Sequence, residues 1–283
     1  MDANPREQAL ILRERVIDNP AGRAALERLR DLSRAGATAA HWSAAPVEFT
    51  KGSPIAKRAQ RRHGWRALLG RGLPRLNEFD NLLWLRNAGF LAAQPLAALT
   101  TWESHRPVWQ GLVTVKLDNA QDAGPVLLEA KNEALDDNRR ELALVLGRTL
   151  GQLHNAGFVH RDFYLRNLLF ERTAGKTRLG MIDCWRGGPG QAGSLGARLL
   201  GRASAYDIGC LFVHLPGLIS VQQEELLLES YRHVRDLSKV VAGRLFQSAA
   251  RARAKLAPKE VRRKRISTGP IQPTWSPSFW AGD

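Results

Sequence analysis

The sequence predicts an α+β chain of two lobes, a small β-rich one followed by a mainly helical one. Three observations predict it. Between His41 and Leu117, short apolar runs alternate with turn signals and frame a single helix. From Glu141 onward, apolar residues recur at helical spacing, as in Leu142, Leu146, Leu150 and Leu153. Between these regions, Asp118-Asn119 to Gly124-Pro125 is a polar stretch with Gly and Pro that reads as a hinge. The expected division is a helical extension over residues 1–40, a β-rich lobe over 41–118, a helical lobe over 119–265 and a flexible tail over 266–283.

In chain order, residues 1–40 read as one or two helices. Ala9, Leu10, Leu12 and Val16 form one apolar set and Ala25, Leu26, Leu29 and Leu32 another, with Asn19-Pro20-Ala21-Gly22 between them. Trp42 to Phe49 and Ser53 to Lys57 then read as short strands, with Lys51-Gly52 as a turn signal. A helix follows over Glu78 to Asn87, with Phe79, Leu82 and Leu85 on its apolar face and a stop at Ala88-Gly89. Gln94 to Thr101 and Gln110 to Leu117 read as further strands.

The helix Glu141 to Asn155 leads into the most informative stretch of the chain, His160-Arg161-Asp162, with Asn167 five residues after the aspartate and Asp183 beyond a pair of strand-like runs. This is the spacing of a kinase catalytic loop and of the metal-binding aspartate that follows it. Phosphoryl transfer requires a carboxylate at the accepting hydroxyl, and an amide and a second carboxylate to hold Mg²⁺ on the ATP phosphates. Asp162 is thus expected to orient the acceptor hydroxyl, and Asn167 and Asp183 to bind metal. Such a site also uses a strand lysine for the phosphates, anchored by a helix glutamate. Lys57, in Pro54-Ile55-Ala56-Lys57, and Glu78, at the start of its helix, are expected in those roles.

Some features depart from an ordinary protein kinase. No Gly-x-Gly-x-x-Gly stands between Trp42 and Gly52, and Asp183 is followed by Cys184-Trp185-Arg186 rather than Phe-Gly. No Ala-Pro-Glu follows, so a regulated activation loop is not expected. Further on, Asp207 in Tyr206-Asp207-Ile208-Gly209 suits a buried carboxylate that accepts backbone N–H groups of the catalytic loop, or equally an acid at a helix N-terminus that interacts with the dipole. Gln222 to Arg235 reads as a helix, and Leu237 to Leu256 as a basic helix stopped by Pro258.

The 283-residue chain carries 44 % hydrophobic and 24 % charged residues, as a folded soluble protein does. Its net charge of +15 is unusual and calls for an anionic partner: nucleic acid, an anionic membrane face or a phosphorylated glycolipid. Arg58, Arg61, Arg62, His63, Arg66, Arg71 and Arg75 concentrate that charge without an intervening acid, a pattern suited to phosphate or carboxylate. Cys184 and Cys210 have no metal-ligand spacing and read as buried, reduced thiols of a cytosolic protein. The N-terminus lacks a secretory pattern, and no apolar run approaches the roughly 18 residues that span a bilayer. Contact with a membrane would then be peripheral. The basic residues from Arg251 to Arg265, with Trp275, Phe279 and Trp280 in the tail, would suit such a surface.

Three stretches together resemble the lipopolysaccharide core heptose and Kdo kinases of Gram-negative bacteria. They are Ala56-Lys57-Arg58 with His63-Gly64-Trp65-Arg66 and Asn77-Glu78-Phe79; Leu153 to Gly157 running into His160-Arg161-Asp162-Phe163-Tyr164; and Ile182-Asp183 with Arg186, then Tyr206-Asp207-Ile208-Gly209. The resemblance spans residues 42 to 235. It implies a protein-kinase-like fold, ATP and Mg²⁺ as cofactors, and a sugar hydroxyl of the lipopolysaccharide inner core as acceptor, at the cytoplasmic face of the inner membrane. An acidic glycolipid on an anionic membrane agrees with the net charge of +15, which by itself does not choose between such a partner and nucleic acid; it is the resemblance that disfavours nucleic acid. Two alternatives stay open at this point. One is an atypical protein or small-molecule kinase acting on another anionic partner, such as a ribonucleoprotein. The other is a pseudokinase scaffold, against which the joint presence of Lys57, Glu78, Asp162, Asn167 and Asp183 argues.

Overall fold

The computed structural model describes residues 11–42, 48–56, 59–60, 65, 73–103, 106–117, 119–132, 136–173, 175–190 and 194–263. The chain divides into two compact units, Met1–Asp118 and Asn119–Asp283.

The first unit is built on an antiparallel sheet. Its strands are β1 (Ile11–Val16), β2 (Ala39–Trp42), β3 (Glu48–Pro54), β5 (Gln94–Glu103) and β6 (Arg106–Val115), after a short β4 (Leu91–Ala92) that precedes β5. Their order is β1-β5-β6-β3-β2. Helix α1 (Pro20–Arg34) starts where Asn19 accepts a hydrogen bond from the Gly22 N–H and Pro20 supplies a preset first turn. Its Ala25, Leu26 and Leu29 pack with Leu96, Ala97, Leu99, Trp109 and Val113 of the sheet. Helix α2 (Pro74–Asn87) buries Phe79, Leu82 and Leu85, and the chain turns away at Gly89, whose φ of 83° needs a glycine.

Two expectations for this unit are corrected. Ile11–Val16 is a strand, not a helix: it pairs with β5 from Ile11↔Trp102 to Val16↔Ala97. The edge of β5 supplies this segment with a ready ladder of backbone partners, which outweighs its helical spacing of apolar residues. Arg15 of this strand pairs with Asp80 at 3.0 Å, and Glu14 with Arg30 at 2.8 Å. Lys51-Gly52 is not a turn but the middle of β3. A Cβ at Gly52 would stand 2.5 Å from the Trp109 indole, and Gly111, its cross-strand partner, faces the same ring. Gly52 is therefore a packing glycine rather than a turn glycine.

In the second unit, β7 (Ala120–Asp122), β9 (Leu168–Thr173) and β10 (Lys176–Met181) form antiparallel pairs β7–β9 and β9–β10, the latter joined at Gly175 with φ 76°. A separate pair joins β8 (Phe158–Val159) to β11 (Gly188–Pro189). The helices are α3 (Ala123–Asn132), α4 (Asp136–Asn155), α5 (Ser194–Leu211), α6 (Val221–Val234) and α7 (Lys239–Arg262). The stretch expected as a hinge thus holds β7 and the start of α3. Leu142, Leu146, Leu150 and Leu153 of α4 are fully buried, and α4 packs on α6 as α5 packs on α7. Helix α7 runs through Pro258, contrary to the expected stop. The ring forfeits one backbone bond there, and the helix carries on to place Glu260, which is 1 % exposed.

Close helix crossings fix the core of the second unit. A Cβ at Gly147 of α4 would lie 2.1 Å from the Leu227 carbonyl oxygen of α6, a backbone atom that cannot swing aside. Gly147→Ala would gain about 1 kcal/mol of helix propensity but incur about 1–3 kcal/mol of overpacking. With backbone as the obstacle, the loss is expected to win. Urea unfolding should show a lower midpoint for the variant; a raised midpoint would contradict the close crossing.

Candidate active site

In the first unit, Glu78, expected as the partner of Lys57, stands close to another lysine of the described residues, Lys51. Glu78 of α2 is 2 % exposed; its Oε1 lies 3.6 Å from Lys51 Nζ on β3, and its Oε2 accepts from Arg75 at 2.5 Å. The expected lysine, Lys57, lies outside the described residues, as do Arg58, Arg61, Arg62, His63, Arg66 and Arg71 of the basic stretch and the residues after Arg263. Lys51 escaped sequence reasoning because Lys51-Gly52 looks like a turn. The available signal was alternation, since Phe49, Lys51 and Ser53 fall on the less buried face of β3.

The second unit builds the loop from His160 to Asn167. Strand β8 delivers it, and Asp207 of α5 receives it: the carboxylate, fully buried, accepts the backbone N–H of His160 at 2.7 Å and of Arg161 at 2.6 Å. Arg161 adopts a left-handed φ of 59°, a strained conformation held by this double contact. His154 approaches the same carboxylate through Nε2 at 3.3 Å, and its Nδ1 lies 2.8 Å from the Tyr231 hydroxyl. Burial holds the His154 pKa below its ordinary value, against the pull of Asp207, so the ring is neutral. Its Nε2–H then donates to the carboxylate and Nδ1 accepts from Tyr231.

The loop is locked to the segment that carries Asp183. Asn167 Nδ2 donates to the Asp162 carbonyl at 2.7 Å, the Ile182 N–H donates to the Asn167 carbonyl at 3.0 Å, and His160 Nε2 contacts the Ile182 carbonyl at 3.1 Å. Asp183 has a left-handed φ of 55° and precedes a tight turn, Cys184–Arg186. Asp162, Arg166, Asp183, Trp185, Arg186 and Arg263 line one cavity of about 490 Å³. The structure thus brings Asp162, Asn167 and Asp183 together, and among the described residues it sets Lys51 beside Glu78.

Arginines surround the acid. Arg166 Nη2 stands 3.6 Å and Arg186 Nη1 4.0 Å from Asp162 Oδ1. Burial pushes the Asp162 carboxyl above its ordinary value, with Arg186, Arg166 and His160 opposing and Asp183 adding to the rise. A buried carboxyl with an upward shift suits a group that accepts a proton. Arg166 is itself positioned: its Nη1 donates to Glu260 of α7 at 2.8 Å, and its guanidinium lies 4.0 Å from the Tyr164 ring centroid. Neither Arg166 nor Glu260 was singled out in the sequence. Position Asp162+4 could have flagged Arg166, but nothing local to Glu260 points to the loop.

Among the described residues there is no cluster of three or more His, Cys, Asp and Glu side chains able to hold a metal. The oxygen donors of Asn167 and Asp183 fit a hard divalent cation that keeps several waters and takes other ligands from phosphates, which is the habit of Mg²⁺. Asn167 commits its Nδ2 to the loop backbone, which orients the amide so that Oδ1 would be the atom to meet a cation.

The model of the lipopolysaccharide kinase (Kdo/WaaP) family matches residues 58–193. No curated protein sequence matches the chain. Among solved structures, WaaP in complex with acyl carrier protein is similar, at 18 % identity and TM-score 0.57, with 86 % of this chain and 99 % of that one covered. This likeness shows the protein-kinase-like fold, with its β-sheet region first and its helical region second. A glucosamine kinase (15 % identity, TM-score 0.48, covering 91 % of this chain and 75 % of that one) and a rhoptry antigen kinase domain from Toxoplasma gondii (14 %, 0.39, 75 % of each) also match.

The raised Asp162 carboxyl has a consequence for stability. Its protonated form is favoured by folding, so the stability it contributes is complete below the unfolded carboxylate pKa near about 4 and is lost as pH rises through the higher folded value. Asp162→Asn, a neutral group of the same shape, is expected to melt at a higher temperature than wild type at pH 8, with the gap closing toward pH 4. A variant less stable than wild type at pH 8 would show the carboxylate to be net favourable where it stands.

Proposed function

We propose, from the match of the lipopolysaccharide kinase (Kdo/WaaP) family model to residues 58–193, that this chain belongs to that family and transfers the γ-phosphoryl group of ATP to a heptose or Kdo hydroxyl of the lipopolysaccharide inner core. The observation that carries this reading is Asp162: a carboxyl with a raised pKa, in a cavity with arginines on either side, on a loop fixed by Asp207. In the reaction, Asp162 holds the acceptor hydroxyl and takes its proton as the oxygen attacks phosphorus. Arg166 offsets the charge that spreads over the transferring oxygens. Asn167 and Asp183 hold Mg²⁺, which neutralises charge on the nucleotide phosphates when bound.

Lys51, anchored by Glu78, takes the phosphate-pairing role that the sequence suggested for Lys57. The net charge of +15 favours an acidic glycolipid on an anionic membrane and draws the enzyme to that surface from the cytoplasmic side. No helix among the described residues is long and apolar enough to cross a membrane.

The test is transfer of labelled phosphate from ATP to purified core lipopolysaccharide, followed by fragmentation to locate the new phosphate. Wild type should label a heptose or Kdo, and Asp162→Asn should lose about 10²–10⁴-fold in rate. Lys51→Met should raise the KM for ATP, and Lys57→Met should leave it near wild type. ATP turnover without labelling of the core would overturn the acceptor assignment, and the reverse lysine pattern would return the phosphate role to Lys57.

A further inference from the structure

The cavity in the second unit holds more positive side chains than the transfer step uses. Asp162 serves the accepting hydroxyl, Asp183 the metal, and Arg166, tied to Glu260, the transferring oxygens. Trp185, Arg186 and Arg263 line the same space without a part in that chemistry. Their arrangement is specific. The Arg186 guanidinium lies over the Trp185 ring at 4.9 Å from its centroid. It stands 4.0 Å from Asp162, beyond hydrogen-bond distance, so its fork is not committed to that carboxylate. Arg263, the residue after α7, is braced by Glu260 Oε1 at 3.1 Å, and Glu260 has its other oxygen on Arg166. The Arg186 and Arg263 side chains stay 39 % and 54 % exposed, within reach of a solute.

An arginine fork matches a carboxylate or phosphate through paired N–H donors. Stacking Arg186 on an indole and bracing Arg263 with a buried acid fix both forks in advance and reduce the entropy lost on binding. The indole also offers an apolar face to the C–H side of a sugar ring. A volume of about 490 Å³ admits a monosaccharide with a charged substituent.

We propose that Trp185, Arg186 and Arg263 form a subsite for an anionic group, carboxylate or phosphate, on the acceptor sugar beside the hydroxyl that Asp162 activates. This rests on the sugar-kinase reading above and adds a substrate class to it. The acceptor is an acidic sugar, and the enzyme discriminates against the neutral sugar of the same shape.

The experiment is calorimetric titration of the purified full chain with two matched pairs: the methyl glycoside of Kdo against its carboxyl-reduced analogue, and a heptose phosphate against the heptose. One anionic member is expected to bind about 10- to 100-fold tighter than its neutral partner, and which pair shows the difference identifies carboxylate or phosphate as the recognised group. Arg186→Ala combined with Arg263→Ala should erase the difference. Arg186→Lys, a change at a half-exposed position that keeps the charge, should shrink it by losing the fork, and it serves if the double variant does not fold. Equal binding within both pairs by wild type, or full discrimination in the variants, would overturn the subsite. Discrimination without phosphate transfer to any of these sugars would support the subsite and overturn the kinase assignment instead.

Discussion

The second unit depends on one buried carboxylate. Asp207 accepts two consecutive backbone N–H groups of the loop that carries Asp162, at 2.7 and 2.6 Å, from a position with no solvent exposure. In such a place an unpaired donor or charge costs more than a made hydrogen bond returns, so the arrangement is close to all or none. It sets Arg161 in a left-handed conformation and thereby aims the next residue, Asp162. Helix α4 contributes neutral His154 to the same carboxylate, and α6 contributes Tyr231 to His154. Three helices thus converge on the main chain beside Asp162, and the loop inherits their rigidity.

A second link reaches the loop from α7. Glu260 is almost fully buried and holds Arg166 and Arg263, one on each oxygen. Arg166 in turn stands against Asp162. The residue lies well beyond residues 58–193, the part that the family model matches, yet it orders charge around the acid within it. Continuation of α7 through Pro258 is what places it there. The proline forfeits one backbone bond, and the helix that continues past it seats the buried Glu260 carboxylate against two arginines.

Much of this site is legible in the sequence because its parts are close along the chain. Asp162, Asn167 and Asp183 sit at spacings that the chemistry dictates, and Asp207 lies in a short helical run. Lys51 is not legible in this way. Its neighbour Gly52 reads as a turn glycine, and the reason for it, the indole of Trp109, comes from a strand far along the chain whose Nε1–H is fixed on the Ala37 carbonyl. The same limit explains Ile11–Val16, where helical periodicity and an open sheet edge compete and the partner strand is remote in sequence. It also explains Glu260, which a local reading discards as part of a basic tail. Long-range contacts decided all three.

The central claim, that Asp207 holds the catalytic loop in its working shape, is tested most directly by amide hydrogen exchange at His160 and Arg161. In wild type both amides should exchange as slowly as the helical core. Asp207→Asn turns an NH₂ group toward one of the two donors, and protection of both amides should fall together with the rate of phosphate transfer, while α4 and α6 keep theirs. Unchanged protection at His160 and Arg161 in that variant would contradict the claim.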